Sequence, residues 1–97
     1  MCMKFEWDSK KNIINIEKHG IDFNDAKELF EYEMLTIEDT REAYGESRWI
    51  AIGRLKAFVS VIIYVEQEPD LIRIISARKA TKREVRQYEE SLKNRLG

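Results

Sequence analysis

Arginine, histidine, lysine and glutamate recur in this sequence at spacings suited to handling a phosphate. The strongest signal is Arg73-Ile-Ile-Ser-Ala-Arg78, an apolar strand bracketed by two guanidiniums that runs into Lys79-Ala-Thr-Lys-Arg-Glu84. A planar guanidinium grips two phosphate oxygens at once and stays charged at every relevant pH. Arg41, Arg48 and Arg54 also lie on or beside period-two segments, so fixed positive charge is presented from a stiff support. At strand rise, Arg73 and Arg78 are about 16 Å apart, and in a regular strand they have opposite parity. They cannot both hold one phosphate. The expectation is that one addresses the reacting group together with Arg48, while the other contacts a flanking nucleotide or the chain's own carboxylates. The plainer reading of each arginine is a surface ion pair with one of 18 acids.

His19 is the only imidazole. It falls at the C-terminus of an expected helix, where the macrodipole favours the protonated ring and suits it to general-acid work or to simple capping. Asp8, Lys11, Asn15, Lys18 and His19 stand at i, i+3, i+7, i+10 and i+11, close to one stripe of that helix. Lys11, Lys18, Arg41 and Lys79 are candidate contacts to a nucleic-acid backbone. Glu46 follows Gly45 in a turn before Arg48, and it is a candidate base or that arginine's partner. Tyr88 is either a base-stacking platform or core filler, since its spacing from Val85 and Leu92 is helical. With one His and one Cys, Cys2, the chain has no zinc set of the usual kind and no intrachain disulfide. No P-loop or nucleophile triad is present.

These groups need elements to hold them. Phe5-Glu-Trp7 reads as a short strand, and Asp8 caps a helix that Gly20 stops after Lys18-His19. Asp22 caps a second helix with Phe23, Ala26, Leu29 and Phe30 on one side, making a helical hairpin. After Tyr32 the period changes to two, and residues 34–38, 48–54, 57–64 and 71–77 read as strands of an antiparallel meander. Pro69-Asp70 marks a turn. On the third of these strands Ala57, Val59, Val61, Ile63 and Val65 form an aliphatic face that is expected to meet the helices. Thr81 and Glu84 have capping-box spacing ahead of a last helix, Lys82–Leu96, which docks by Val85, Tyr88, Leu92 and Leu96. The fold class is α+β: a mostly antiparallel sheet with an N-terminal helical hairpin and a packed C-terminal helix.

Ninety-seven residues, 43% hydrophobic, suit one domain spanning 1–97 with one core. No apolar run approaches a membrane span or a signal-peptide h-region, so the expected location is cytoplasmic. The net charge of −1 conceals an asymmetry. Residues 73–97 carry eight Lys/Arg against three Glu, or +5, whereas residues 22–46 hold nine acids against Lys27 and Arg41, or −7. One face therefore suits a polyanion and another a cationic partner, unless both are ordinary solvated faces.

The pattern resembles the BrnT-type toxins, the ribonuclease half of a type II toxin-antitoxin pair. The resemblance rests on Phe5-Glu-Trp-Asp8, Lys11 with Asn15, Lys18-His19-Gly20, Phe23 and Ala26, then Asp39, Arg41, Gly45-Glu46, Arg48 and Ile52-Gly53. It closes with Arg73-Ile-Ile-Ser-Ala-Arg78, Ala80, Glu84 and Tyr88, so it spans almost the whole chain. It implies a compact RelE-like fold and RNA cleavage that inhibits translation. It also implies a BrnA-like ribbon-helix-helix antitoxin, two toxins with an antitoxin dimer, and operator DNA contacted only through that antitoxin. No cofactor is expected. The chemistry that fits is metal-independent attack of a 2′-OH on its own phosphate, which needs a base, an acid and cations around the phosphorane. Arg48 with Arg73 or Arg78 would hold phosphate charge, and His19 or Glu46 would move protons. All this requires outward-facing forks around an open concavity, not forks buried in internal salt links. The rivals are a nucleic-acid-binding module without catalysis and a protein-binding domain docking through its acidic hairpin.

Overall fold

The computed structural model describes residues 3–43 and 45–96, with the side chain of Leu96 outside that description along with Cys2. Strand β1 (Lys4–Glu6) leads through Asp8 into helix α1 (Ser9–His19). The Asp8 carboxylate accepts the Lys10 and Lys11 amides at 2.8 and 3.4 Å, and Gly20 ends the helix at φ 71. Only a residue at ease in the left-handed region suits that stop.

The second helix differs from expectation. It is a single turn, α2 (Phe23–Ala26), that tightens into a 3₁₀ turn (Lys27–Glu31). Phe23, Ala26 and Leu29 are all fully buried. They recur every three residues, a spacing that a helix of three residues per turn keeps in line and an α-helix does not. The expected helical hairpin is therefore one helix followed by two short turns. Asn12 ties them together, donating to Asp22 at 3.0 Å and accepting the Phe23 amide at 2.9 Å.

Strands β2 (Met34–Asp39), β3 (Arg48–Leu55), β4 (Phe58–Glu68) and β5 (Leu71–Lys79) form the antiparallel meander. Short β1 adds to β5 in parallel, giving the order β1-β5-β4-β3-β2. Ala57 falls in the turn before β4, and β4 runs on to Glu68 before the turn at Pro69-Asp70.

Both faces of this sheet are covered, which corrects the single-sided docking expected for the helices. On one side Ala51, Ile62, Tyr64, Ile72, Ile74 and Ala77 pack with Phe23, Ala26 and Leu29. Phe30 stands edge-on to Tyr64 at 5.1 Å. The aliphatic side, with Val59, Val61 and Ile63, meets only helix α3 (Lys82–Leu96) through Tyr88 and Leu92. A strand buried on both faces reads as a nearly continuous apolar run, as 58–65 does. Gly53 belongs to this packing: a Cβ there would meet the Leu29 side chain at 3.2 Å and the Glu33 carbonyl at 3.3 Å.

Candidate active site

Cross-strand registry lines up one row of charged residues. Asp39 pairs with Arg48, Arg48 with Val65, Val65 with Arg73, and Arg73 with Glu6, so the row crosses all five strands. Directly paired residues share a face. This face is the side that carries α3, one step beyond Ile50 and Ile63. Ile37, paired with Ile50, is exposed there.

Arg78 joins the same face through an irregularity. Ile63 pairs with Ser76 but Tyr64 pairs with Ile74, so Ile75 is an extra residue in β5. A bulge resets the alternation. Arg73 and Arg78, expected on opposite faces, therefore pair with Val65 and Val61 of one face. Four residues of β4 separate them, about 13 Å at strand rise.

Lys79, next in sequence, goes the other way. It pairs with Ser60, and its Nζ lies 5.2 Å from the centre of the Phe58 ring, away from the arginine face. Tyr88 is 5% exposed in the core beneath α3, with its hydroxyl donating to the Glu33 carbonyl at 3.3 Å. The fold directs Lys79 to the face opposite the arginines and gives Tyr88 the packing role that was one of its two expected readings.

Arg41, Arg48, Arg73 and Arg78 are each held by a carboxylate. Arg41 grips Asp39 by two points at 2.8 and 2.9 Å. Arg48 donates Nε to Glu46 at 3.2 Å, and Arg73 donates to Glu6 at 3.0 Å. Arg78 grips Glu84 at 2.7 and 2.8 Å. The expected outward forks are thus partnered, yet they are not buried. The side chains of Arg41, Arg48, Arg73 and Arg78 keep 63%, 23%, 39% and 35% of their exposure. The carboxylates orient the forks and reduce the local positive field.

Glu84 does two jobs. Its carboxylate accepts the Thr81 amide at 2.8 Å while its own amide donates to the Thr81 hydroxyl at 3.2 Å, completing the expected capping box. The Arg78 contact above all, and the Thr81 amide next, hold its carboxyl down from an ordinary 4.5 to about 2. In return Glu84 pushes Arg78 further up, against burial and the opposing charge of Arg41. Arg41 and Arg78 thus lie close enough to feel one another.

Beside the arginine face runs a groove of about 190 Å³ lined by Lys11, Ile14, Asn15, Lys18, His19, Ile75 and Ser76. The expected stripe of α1 therefore lies along β5, with His19 next to the bulge. Among the described residues no group of three or more His, Cys, Asp or Glu is placed to hold a metal ion, and no helix is long and apolar enough to cross a membrane. Sequence reasoning did not anticipate Glu6, Asp39 and Glu84 as the partners that orient the arginines. Strand registry alone reveals the first, whereas the capping-box spacing of Glu84 six residues after Arg78 was a usable signal.

A family model described as the ribonuclease toxin, BrnT, of type II toxin-antitoxin system matches residues 7–84. That span holds Lys11, His19, Glu46, Arg41, Arg48, Arg73, Arg78 and Glu84. Among solved structures, the chain is similar to the 1.1 Å crystal structure of the Brucella abortus ribonuclease toxin, BrnT. The identity is 30% and the TM-score 0.64, over 82% of this chain and 99% of that one. No curated protein matches the chain.

Proposed function

This chain belongs to the BrnT family of ribonuclease toxins of type II toxin-antitoxin systems, and on that premise we propose how it cuts RNA: without metal, by attack of a ribose 2′-OH on the adjacent phosphate. The 2′-oxygen forms a bond to phosphorus as the bond to the 5′-oxygen breaks, leaving a 2′,3′-cyclic phosphate and a 5′-hydroxyl. The 2′-OH proton goes to a base, and the departing oxygen takes one from an acid. The nucleophile is already in the substrate, so the protein supplies orientation, proton transfer and charge.

Arg48 and Arg73 flank Val65 in one row, and that row carries the proposal. They take the phosphate whose charge grows in the transition state. Arg78, further along the same face, and Arg41 hold a neighbouring phosphate. Glu46, bonded to Arg48, is the base, and His19 in the adjoining groove is the acid. Lys11 and Lys18 line that groove and track the RNA backbone. The scaffold is RelE-like, one domain over residues 1–97.

A toxin of a type II system has an antitoxin partner. In this reading that partner is a BrnA-like ribbon-helix-helix protein, two toxins assemble with its dimer, and operator DNA is contacted through it alone. The whole acts in the cytoplasm.

An RNA carrying a single 2′-deoxy nucleotide at the cleaved position tests the chemistry. The substituted RNA should bind and remain whole, and cleavage of the unsubstituted RNA should persist in excess EDTA. Cutting at the deoxy position, or loss of cutting on chelation, overturns the mechanism.

A further inference from the structure

Helix α1 carries His19, Lys11 and Lys18, yet none of its apolar side chains is buried. Ile13, Ile14 and Ile16 are all exposed, and the one buried residue of the helix is Asn15 at 5% exposure. An amphipathic helix ordinarily docks by an apolar stripe. This one is fixed to the sheet by an amide.

The Asn15 amide makes three hydrogen bonds, all to backbone. Nδ2 donates to the Ile21 carbonyl at 2.8 Å and to the Ala77 carbonyl at 2.9 Å, while Oδ1 accepts the Ala77 amide at 3.0 Å. The side chain thus pairs with the backbone of Ala77 as a neighbouring strand would. Short β1 covers only Leu71, Ile72 and Arg73 of that edge, so Asn15 satisfies the edge further along. Ala77 lies immediately between Ser76, which pairs with Ile63 just past the bulge, and Arg78. One amide therefore joins the helix that holds His19 to the strand segment whose irregular registry brings Arg78 onto the Arg73 face.

From this geometry we infer that Asn15 is a positioning residue for RNA cleavage: it sets the place of His19, Lys11 and Lys18 against the bulged segment of β5 that leads to Arg78. It does not touch the substrate, because both its N–H donors and its oxygen are committed to backbone. The inference rests on the ribonuclease reading above. Small displacements of reacting groups cost disproportionately in rate, about 100-fold for 1 Å.

The test compares wild type with Asn15→Ala and Asn15→Asp, using single-turnover cleavage of an RNA that the wild type cuts. Asn15→Asp keeps the volume but sets a carboxylate against two carbonyl oxygens. Circular dichroism melts identify the temperature at which each variant is folded, and the rates are read there. Expected are a fall of roughly 10- to 100-fold in the saturated cleavage rate, less than about a three-fold change in the half-saturating protein concentration, and faster amide exchange at Ala77. A folded variant that cuts at the wild-type saturated rate overturns the inference while leaving the ribonuclease reading intact. A fall confined to affinity also overturns it. A wild type that cuts no RNA overturns both.

Discussion

At the scale of single residues, the arginines and their carboxylates are pairs rather than free charges, and the pairs make distinct predictions. Replacing Arg48 or Arg73 by Lys keeps the charge but loses the planar fork. Cleavage should fall by about 10- to 100-fold with the melting temperature nearly unchanged, as activity assays and melts on the same preparations will show. The two residues proposed to carry protons are separable by pH. Glu46→Gln should remove the acidic limb of the pH–rate profile and His19→Gln the alkaline limb, because a base fails when protonated and an acid when deprotonated. An unaltered profile in either variant excludes that residue from proton transfer. Glu84 predicts a stability effect. Its folded-state pKa of about 2 lies below the ordinary 4.5, so its contribution is fully present above that ordinary value and is lost as pH falls through about 2. The gap in urea midpoint between wild type and Glu84→Gln should be constant near neutrality, shrink below about pH 4.5, and close near pH 2.

At the scale of elements, β5 decides the site. Its bulge at Ile75 puts Arg73 and Arg78 on one face, and its uncovered edge receives Asn15 from α1. The two short turns press on the other face of the sheet, where Gly53 gives Leu29 room. Gly53→Ala forces its new Cβ toward Leu29 and the Glu33 carbonyl. Overpacking of this kind should cost about 1–3 kcal/mol. Urea denaturation measures that cost, and a neutral result would mean that the turn shifts freely. Such freedom is incompatible with the full burial of Phe23, Ala26 and Leu29.

At the scale of the whole molecule, two sheet faces have two uses. One is closed by the turns that follow α1, while the other is shared between α3 and the arginine row. The positive charge of residues 73–97 is dispersed accordingly, with Lys79 leaving the arginine face and Arg95 reaching back to Glu33 at 2.9 Å. Because Arg41, Arg48, Arg73 and Arg78 each already have an acid beside them, RNA binding should depend only moderately on salt. With about three phosphates neutralised, the slope of log affinity against log salt for a single strand should be roughly −2. A slope steeper than about −5 would mean that the paired carboxylates do not offset the arginines.

Local grammar determined a good deal. Asp8 and Gly20 bounded α1, Thr81 and Glu84 capped α3, and period-two runs with Pro69-Asp70 marked the meander, because caps, turns and alternation act over a few residues. The stripe of Lys11, Lys18 and His19 was likewise legible. Pairing across strands decided the rest. An extra residue such as Ile75 has no mark in sequence, since its identity as a bulge exists only relative to Ile63 and Tyr64 on the facing strand. The same holds for Glu6 meeting Arg73 and Asn15 meeting Ala77, contacts between residues more than sixty positions apart that chain folding alone brings within hydrogen-bond reach.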